Sequence, residues 1–231
     1  YQKLIDEQPN EYAEQALVRT TQILVLQEKE QEAVSFWRQL ENIAAYPENK
    51  RYAMFNLMRS YFESEDLEEA QQKAESVLAL TNIEVKVKWD AYKILAQTSI
   101  ALNDSIKAQE AFKVLEKAPI EELAAEAFYF RAHQNFKNNE FMQSNEVIAM
   151  LSQKFSSQPY WAAKSLLLMA KNFYALDDAF QATYILESLA DNYNQFPEIS
   201  EQGKALLEQI NLEQAEQNAS LSKQNTTDGA Q

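Results

Sequence analysis

The sequence predicts an all-α chain built from stacked helix pairs, and three observations carry that prediction. Only two glycines occur in 231 residues, Gly203 and Gly229, whereas sheets, phosphate loops and dinucleotide folds need glycine wherever the backbone turns tightly. The five prolines stand at 9, 47, 119, 159 and 197, separated by 38, 72, 40 and 38 residues, so a regular beat runs along the chain with one stroke missing. Proline is excluded from helix interiors but welcome at helix starts, so each one marks a joint between helical units. The third observation is a register of small and apolar residues that recurs with the same period.

Aligned on a compact residue in the first helix of each unit, the register reads Thr21, Met58, Ala96, Ala132 and Ala170, at spacings of 37, 38, 36 and 38. Twelve residues on, where a second helix must approach the first closely, stand Ala33, Ala70, Ala108, Ser144 and Ala182. One turn further come Trp37, Ala74, Phe112, Ile148 and Leu186, then Leu40, Val77, Leu115, Leu151 and Leu189. Residues at i, i+4 and i+7 share one helix face, so these positions are core. The first helices carry matching stripes, Phe128, Ala132 and Phe136 in one, Leu166, Ala170, Phe173 and Tyr174 in another.

Five pairs are therefore expected over 10–196, divided at about 10–46, 47–82, 83–118, 119–157 and 158–196. Between the helices of each pair lies a short polar link, and most links carry Asp, Asn or Glu where the second helix begins, as free amides and the helix dipole favour. Asp66 followed by Glu69 reads as a capping pair. Residues 1–9 read as the end of a preceding repeat helix and its joint. With no initiating methionine, the expectation is a C-terminal fragment of a longer repeat protein with more repeats upstream. After Pro197, Ile199, Leu206, Leu207 and Ile210 form one apolar face, which predicts a capping helix over 197–213. The polar segment 214–231 is expected to be a disordered tail, because it has too little apolar surface to offset ordering entropy.

Composition narrows the function. Hydrophobic residues make up 46% of the chain and aromatics 11%, enough for a substantial core. Cysteine is absent, which removes disulfides and thiolate metal sites. No apolar run is long enough to cross a bilayer, so membrane insertion is not expected. A formal charge of −14, from 35 acidic against 21 basic residues, opposes a phosphate backbone, so nucleic acid is not an expected partner. Catalysis finds no footing either. The only histidine is His133, no Gly-x-Ser-x-Gly elbow exists, and paired acids such as Glu121-Glu122 or Asp177-Asp178 are adjacent and point different ways on a helix. The acidic run from Glu63 to Glu69 reads as a helix cap with solvated neighbours rather than a metal site. No enzyme activity, metal or cofactor is expected.

Small residues at the eighth and twentieth positions of a unit, a large apolar residue near the twenty-fourth and a proline near the end together resemble the tetratricopeptide repeat (TPR), over roughly residues 10 to 197. The pattern departs from that family in two ways: its units are longer than the usual 34 residues, and the glycine common at the eighth position is never present. Unit ends such as Ala45-Tyr46-Pro47 and Asn192-Tyr193-Asn194-Gln195-Phe196-Pro197 look most like those of bacterial envelope TPR proteins. That resemblance implies a periplasmic or cell-envelope location.

The resemblance further implies a right-handed α-solenoid of five hairpins with a C-terminal cap, whose concave face is lined by the first helices. Groove positions there include Phe55, Phe62, Phe136 and Lys164. The candidate peptide-binding residues are Tyr52, Arg59, Lys93, Gln97, Tyr129, His133, Lys137, Lys171 and Tyr174. Lys93 with Gln97, one turn apart, is similar to the two-residue clamp of some carboxylate-binding TPR domains. Basic residues outnumber Glu63, Asp90 and Glu126 in the groove, although acids dominate the chain. The expected function is a non-catalytic scaffold that binds a protein or peptide, with acidic groups on the ligand. The alternative is an assembly or regulatory arm of a larger multidomain protein that acts through self-association as a homo-oligomer.

Overall fold

Helix is the only regular element among the described residues of the computed structural model, which are 1–6 and 10–228, with side chains described as far as Ala219. Residues 7–9, with the expected joint at Pro9, and 229–231 lie outside the described residues. The chain forms two compact units, residues 1–115 and 116–231.

The first unit holds α1 (Gln2–Asp6), α2 (Ala13–Leu26), α3 (Glu30–Ile43), α4 (Pro47–Glu63), α5 (Leu67–Leu78), α6 (Val85–Ala101) and α7 (Ser105–Leu115). They pair as α2 with α3, α4 with α5 and α6 with α7. Within this unit each pair also packs on the next through α3 on α4 and α5 on α6. The second unit holds α8 (Glu121–Lys137), α9 (Phe141–Lys154), α10 (Pro159–Ala175), α11 (Ala179–Asn192) and α12 (Pro197–Asp228). Here α8 pairs with α9 and α10 with α11, α10 lies on both α8 and α9, and α12 lies on α11 and α10.

The predicted register is the core of both units. All twenty of its positions, from Thr21 to Leu189, are at most 2% exposed. Where alanine gives way to Ser144, the hydroxyl donates to the Ala132 carbonyl at 2.8 Å, which ties a second helix to the anchor of its first. Asn172 then bridges to the preceding pair, its amide donating to Ser144 Oγ at 2.8 Å and to Asn145 Oδ1 at 2.7 Å.

The five links are built alike. Each first helix ends on one residue in left-handed backbone: Glu28, Glu65, Asn103, Asn139 and Asp177, with φ between 58° and 62°. The next residue turns its amide back to the carbonyl five positions earlier, Lys29 to Leu24, Asp66 to Tyr61, Asp104 to Ser99, Glu140 to Asn135 and Asp178 to Phe173, at 2.8–2.9 Å. This geometry satisfies carbonyls that a helix end would otherwise leave unpaired. The left-handed residues follow the anchors by seven positions throughout, so they share the 37, 38, 36 and 38 spacing.

Three expectations need correction. Asp66 stands at the N-cap of α5, but its side chain accepts no capping bond; those bonds are made by Asp104, from the Lys107 amide at 3.1 Å, and Asp178, from the Gln181 amide at 3.0 Å. The charges of Asp66 and Glu69 act instead on Arg38, whose pKa is raised first by the hydrogen bond it donates to Tyr61 and then by these carboxylates. Second, prolines do not all begin helices. Pro47, Pro159 and Pro197 do, but Pro119 precedes α8 by two residues, and at the missing beat the extended residue Glu84 makes the joint.

Third, the cap is longer than 197–213. Residues 214–228 continue α12, so this stretch is helical rather than a disordered tail. Its Gln, Ala, Glu, Leu and Lys are compatible with a helix, and extending a helix already nucleated on packed side chains costs far less than starting one. Near its start, Gly203 lets α12 lie close on α11: a Cβ there would meet Leu189 Cδ2 at 2.9 Å.

Candidate functional site

In the first unit the groove candidates lie on α4 and α6, and two of them hold the helices together. Arg59 pairs with Asp90 of α6 and its guanidinium carbon lies 4.3 Å from the centroid of the Phe55 ring, so its charge is compensated. The Tyr52 hydroxyl lies 3.3 Å from Thr21 Oγ1 of α2. Tyr52, Arg51, Phe55 and Val87 line a recess of about 370 Å³. On α6, Lys93 and Gln97 are half-buried one turn apart, and Lys93 forms no ion pair among the described residues.

The second unit gathers its candidates more tightly. A recess of about 290 Å³ opens between α8, α10 and the first turns of α12. From α8 it takes Tyr129, His133 and Phe136, successive along one face. Their rings stack: Tyr129 and His133 are 6.0 Å apart at 18°, and His133 and Phe136 are 6.3 Å apart at 26°. Trp161 of α10 extends the column, 5.5 Å from Tyr129. Leu167 and Leu168 of α10 and Ile199 of α12 give the recess its apolar side, while Glu198 and Gln202 complete it.

Cations dominate the polar side. Lys164 Nζ lies 5.1 Å from the Tyr129 ring centroid, 5.3 Å from Tyr160 and 5.1 Å from Trp161, so three π-faces surround one ammonium. Lys171 lines the same recess two turns along α10. Lys137, exposed at the end of α8, adds its field. None of the three forms an ion pair among the described residues. This concentration runs against composition, because residues 116–231 carry sixteen acidic side chains and eight basic ones.

The electrostatic effect falls on His133. Burial holds its pKa below the ordinary value of 6.5, and Lys137, Lys171 and Lys164 lower it further. The Tyr129 phenol is pushed up to about 12, by burial and then by Tyr160, so it is a neutral donor at any physiological pH. The site offers ammonium and phenol donors, ring faces and an apolar wall. That set is suited to hold an anion beside an apolar group.

Of the five second-unit candidates, the structure brings Tyr129, His133 and Lys171 into the recess and sets Lys137 within electrostatic reach. Tyr174 goes elsewhere. Its hydroxyl donates to Glu213 of α12 and accepts from Gln209 at 3.3 Å, an arrangement that raises the phenol pKa and lowers that of Glu213. Tyr160, Trp161 and the side chains of α12 are missing from the sequence candidates. Tyr160 and Trp161 were legible as aromatics one turn before Lys164 at a proline-started helix; Glu198, Ile199 and Gln202 stand outside the repeat register, which gives no signal for them.

Among the described residues no three acidic or histidine side chains are grouped to hold a metal ion, and no helix is long and apolar enough to cross a membrane. Set beside known proteins, the chain matches no family model and no curated sequence.

Proposed function

We propose that the chain is a non-catalytic protein-interaction scaffold of the TPR kind: five hairpins in a right-handed superhelix, capped by α12, whose first helices present a concave face to an extended peptide segment or partner protein. The 36–38-residue spacing shared by the buried register and the left-handed links supports the repeat reading. The observation that carries the binding role is the second-unit recess, where lysines that form no ion pair among the described residues meet stacked aromatics in an acidic chain. Aromatic anchors with an adjacent cationic rim are how interfaces combine affinity with orientation. Within the first unit, Lys93 and Gln97 on α6 would offer a ligand polar contacts, and Tyr52 with Phe55 on α4 would offer apolar surface. The unit ends favour a periplasmic or envelope setting.

The test is capture of a partner from the source cell. The double variant Lys93→Glu, Lys171→Glu is expected to keep its helicity and lose capture, because it reverses charge where the ligand is read. Undiminished capture would overturn the reading.

Self-association, as the assembly or regulatory arm of a larger protein, is the second reading. One observation favours it: Phe180 and Tyr184, one turn apart on α11, are 77% and 65% exposed. Light scattering separates the two, since a stable dimer lost on Phe180→Ser would move the function to that face.

A further inference from the structure

The geometry points to a specific occupant for the second-unit recess: the carboxylate of an acidic side chain in an extended partner segment, held between Lys164 and Lys171, with the following apolar side chain on Leu167, Leu168 and Ile199. This deepens the scaffold reading and rests on it.

Lys164 and Lys171 project from one face of α10 about 10 Å apart along the axis, and their flexible stems allow both ammonium groups to converge on one oxygen pair between them. Beside that point the recess changes character from cationic to apolar. An anionic group joined to an apolar neighbour matches both halves, whereas a cation would face three lysines and a second acid would lack a partner. Volume limits the guest as well. About 290 Å³ accommodates side chains of an extended strand but not a folded domain, so the ligand enters as a segment.

Charge balance completes the case. The groups facing His133 are Tyr129 and Lys137 from its own helix, Tyr160, Lys164 and Lys171 from α10, and Glu198 from α12. Glu198 is the one carboxylate in that set, so the recess keeps an excess of positive charge. A bound carboxylate would relieve repulsion among the lysines and let His133 accept a proton. By linkage, binding strengthens as pH falls from 7.5 towards 6.

His133 is the only histidine in the chain, so its imidazole Cε1 proton is a single, assignable reporter by NMR. The full chain is titrated with acetyl-Ala-Glu-Leu-Ala-amide, blocked so that its sole charge is the side-chain carboxylate, and with the Gln counterpart. The Glu peptide is expected to raise the His133 pKa and to bind at least about tenfold more tightly than the Gln peptide, the scale of a charge-assisted contact. In the variant Lys164→Gln, Lys171→Gln, the pKa of the unliganded protein should rise and the preference for Glu should vanish. Equal response to the Glu and Gln peptides, or an unchanged preference in the variant, would overturn the assignment. So would stronger binding of the Gln peptide with an unblocked C-terminus, which would make the recess a chain-end site. If these peptides leave His133 unmoved while Lys93→Glu, Lys171→Glu still abolishes capture from cell extract, the recess assignment fails and the scaffold reading stands.

Discussion

Glu28, Glu65, Asn103, Asn139 and Asp177 adopt the same left-handed backbone with three different side chains, so the links demand a conformation rather than a chemistry. Asparagine tolerates that region, but glutamate strains against its own Cβ by about 1–2 kcal/mol. Glycine removes the strain at some cost in unfolded-state entropy. Glu65→Gly, at an exposed position, should therefore stabilise the chain by about 0.5–1 kcal/mol, read as a higher urea midpoint; a lower midpoint would refute the strain argument. Glu14 shows the opposite economy of a single side chain. Burial raises its pKa, but donation from the Asn49 side chain and the Ala45 and Tyr46 amides outweighs this and leaves it below 4.5. Its charge thus caps the start of α4 from α2. Glu14→Gln keeps the shape and should cost about 0.5–1 kcal/mol at pH 7, the low end for a half-exposed charge-assisted bond. A carboxylate with a lowered folded pKa stabilises above its unfolded pKa and loses that contribution as pH falls through the folded value. Wild type and variant should converge in acid, and a constant gap across pH 3–7 would deny the charge its role.

Helices that bury one face are legible because burial imposes a period on the sequence, and the register from Thr21 to Leu189 follows from spacing alone. Helix ends are less legible. Asp66, Asp104 and Asp178 are the same residue type in matching positions, yet Asp66 alone of the three makes no capping bond. Sequence spacing does not carry that difference. The pair of variants Asp178→Ala and Asp66→Ala tests it by denaturation. The first should cost about 1 kcal/mol as a lost cap, the second a few tenths at most as a screened surface charge; equal losses would mean that capping is not what distinguishes them. The helix over 214–228 was missed for a related reason. A polar composition predicts no burial, but α12 is nucleated by Ile199 and Ile210, 2% and 1% exposed, and runs on by local propensity.

At the scale of the whole molecule, Tyr129 and His133 of α8 and Lys171 of α10, chosen by spacing, line one recess, whereas Arg59 and Tyr174 are already paired with Asp90 and Glu213, which a count of charges and rings does not show. Pairing is a tertiary fact. The same distinction gives the molecule an unusual pH response. Histidine is the side chain whose ordinary pKa falls between pH 5 and 8, and His133 is the only one in the chain, so it governs the change between pH 7 and 5.5. Its folded pKa lies below 6.5, through burial and then three lysines, so the unfolded chain takes up the proton more readily. Stability is therefore whole above pH 6.5 and falls as pH drops towards the folded value. Urea midpoints at pH 7.5, 6.5 and 5.5 should decline in the wild type and stay level in His133→Gln. Lys171→Gln should lie between them, since it removes part of the repulsion and leaves the burial. A wild-type midpoint that rises on acidification, or a His133→Gln line parallel to it, would show that the recess does not bear on the imidazole as its geometry requires.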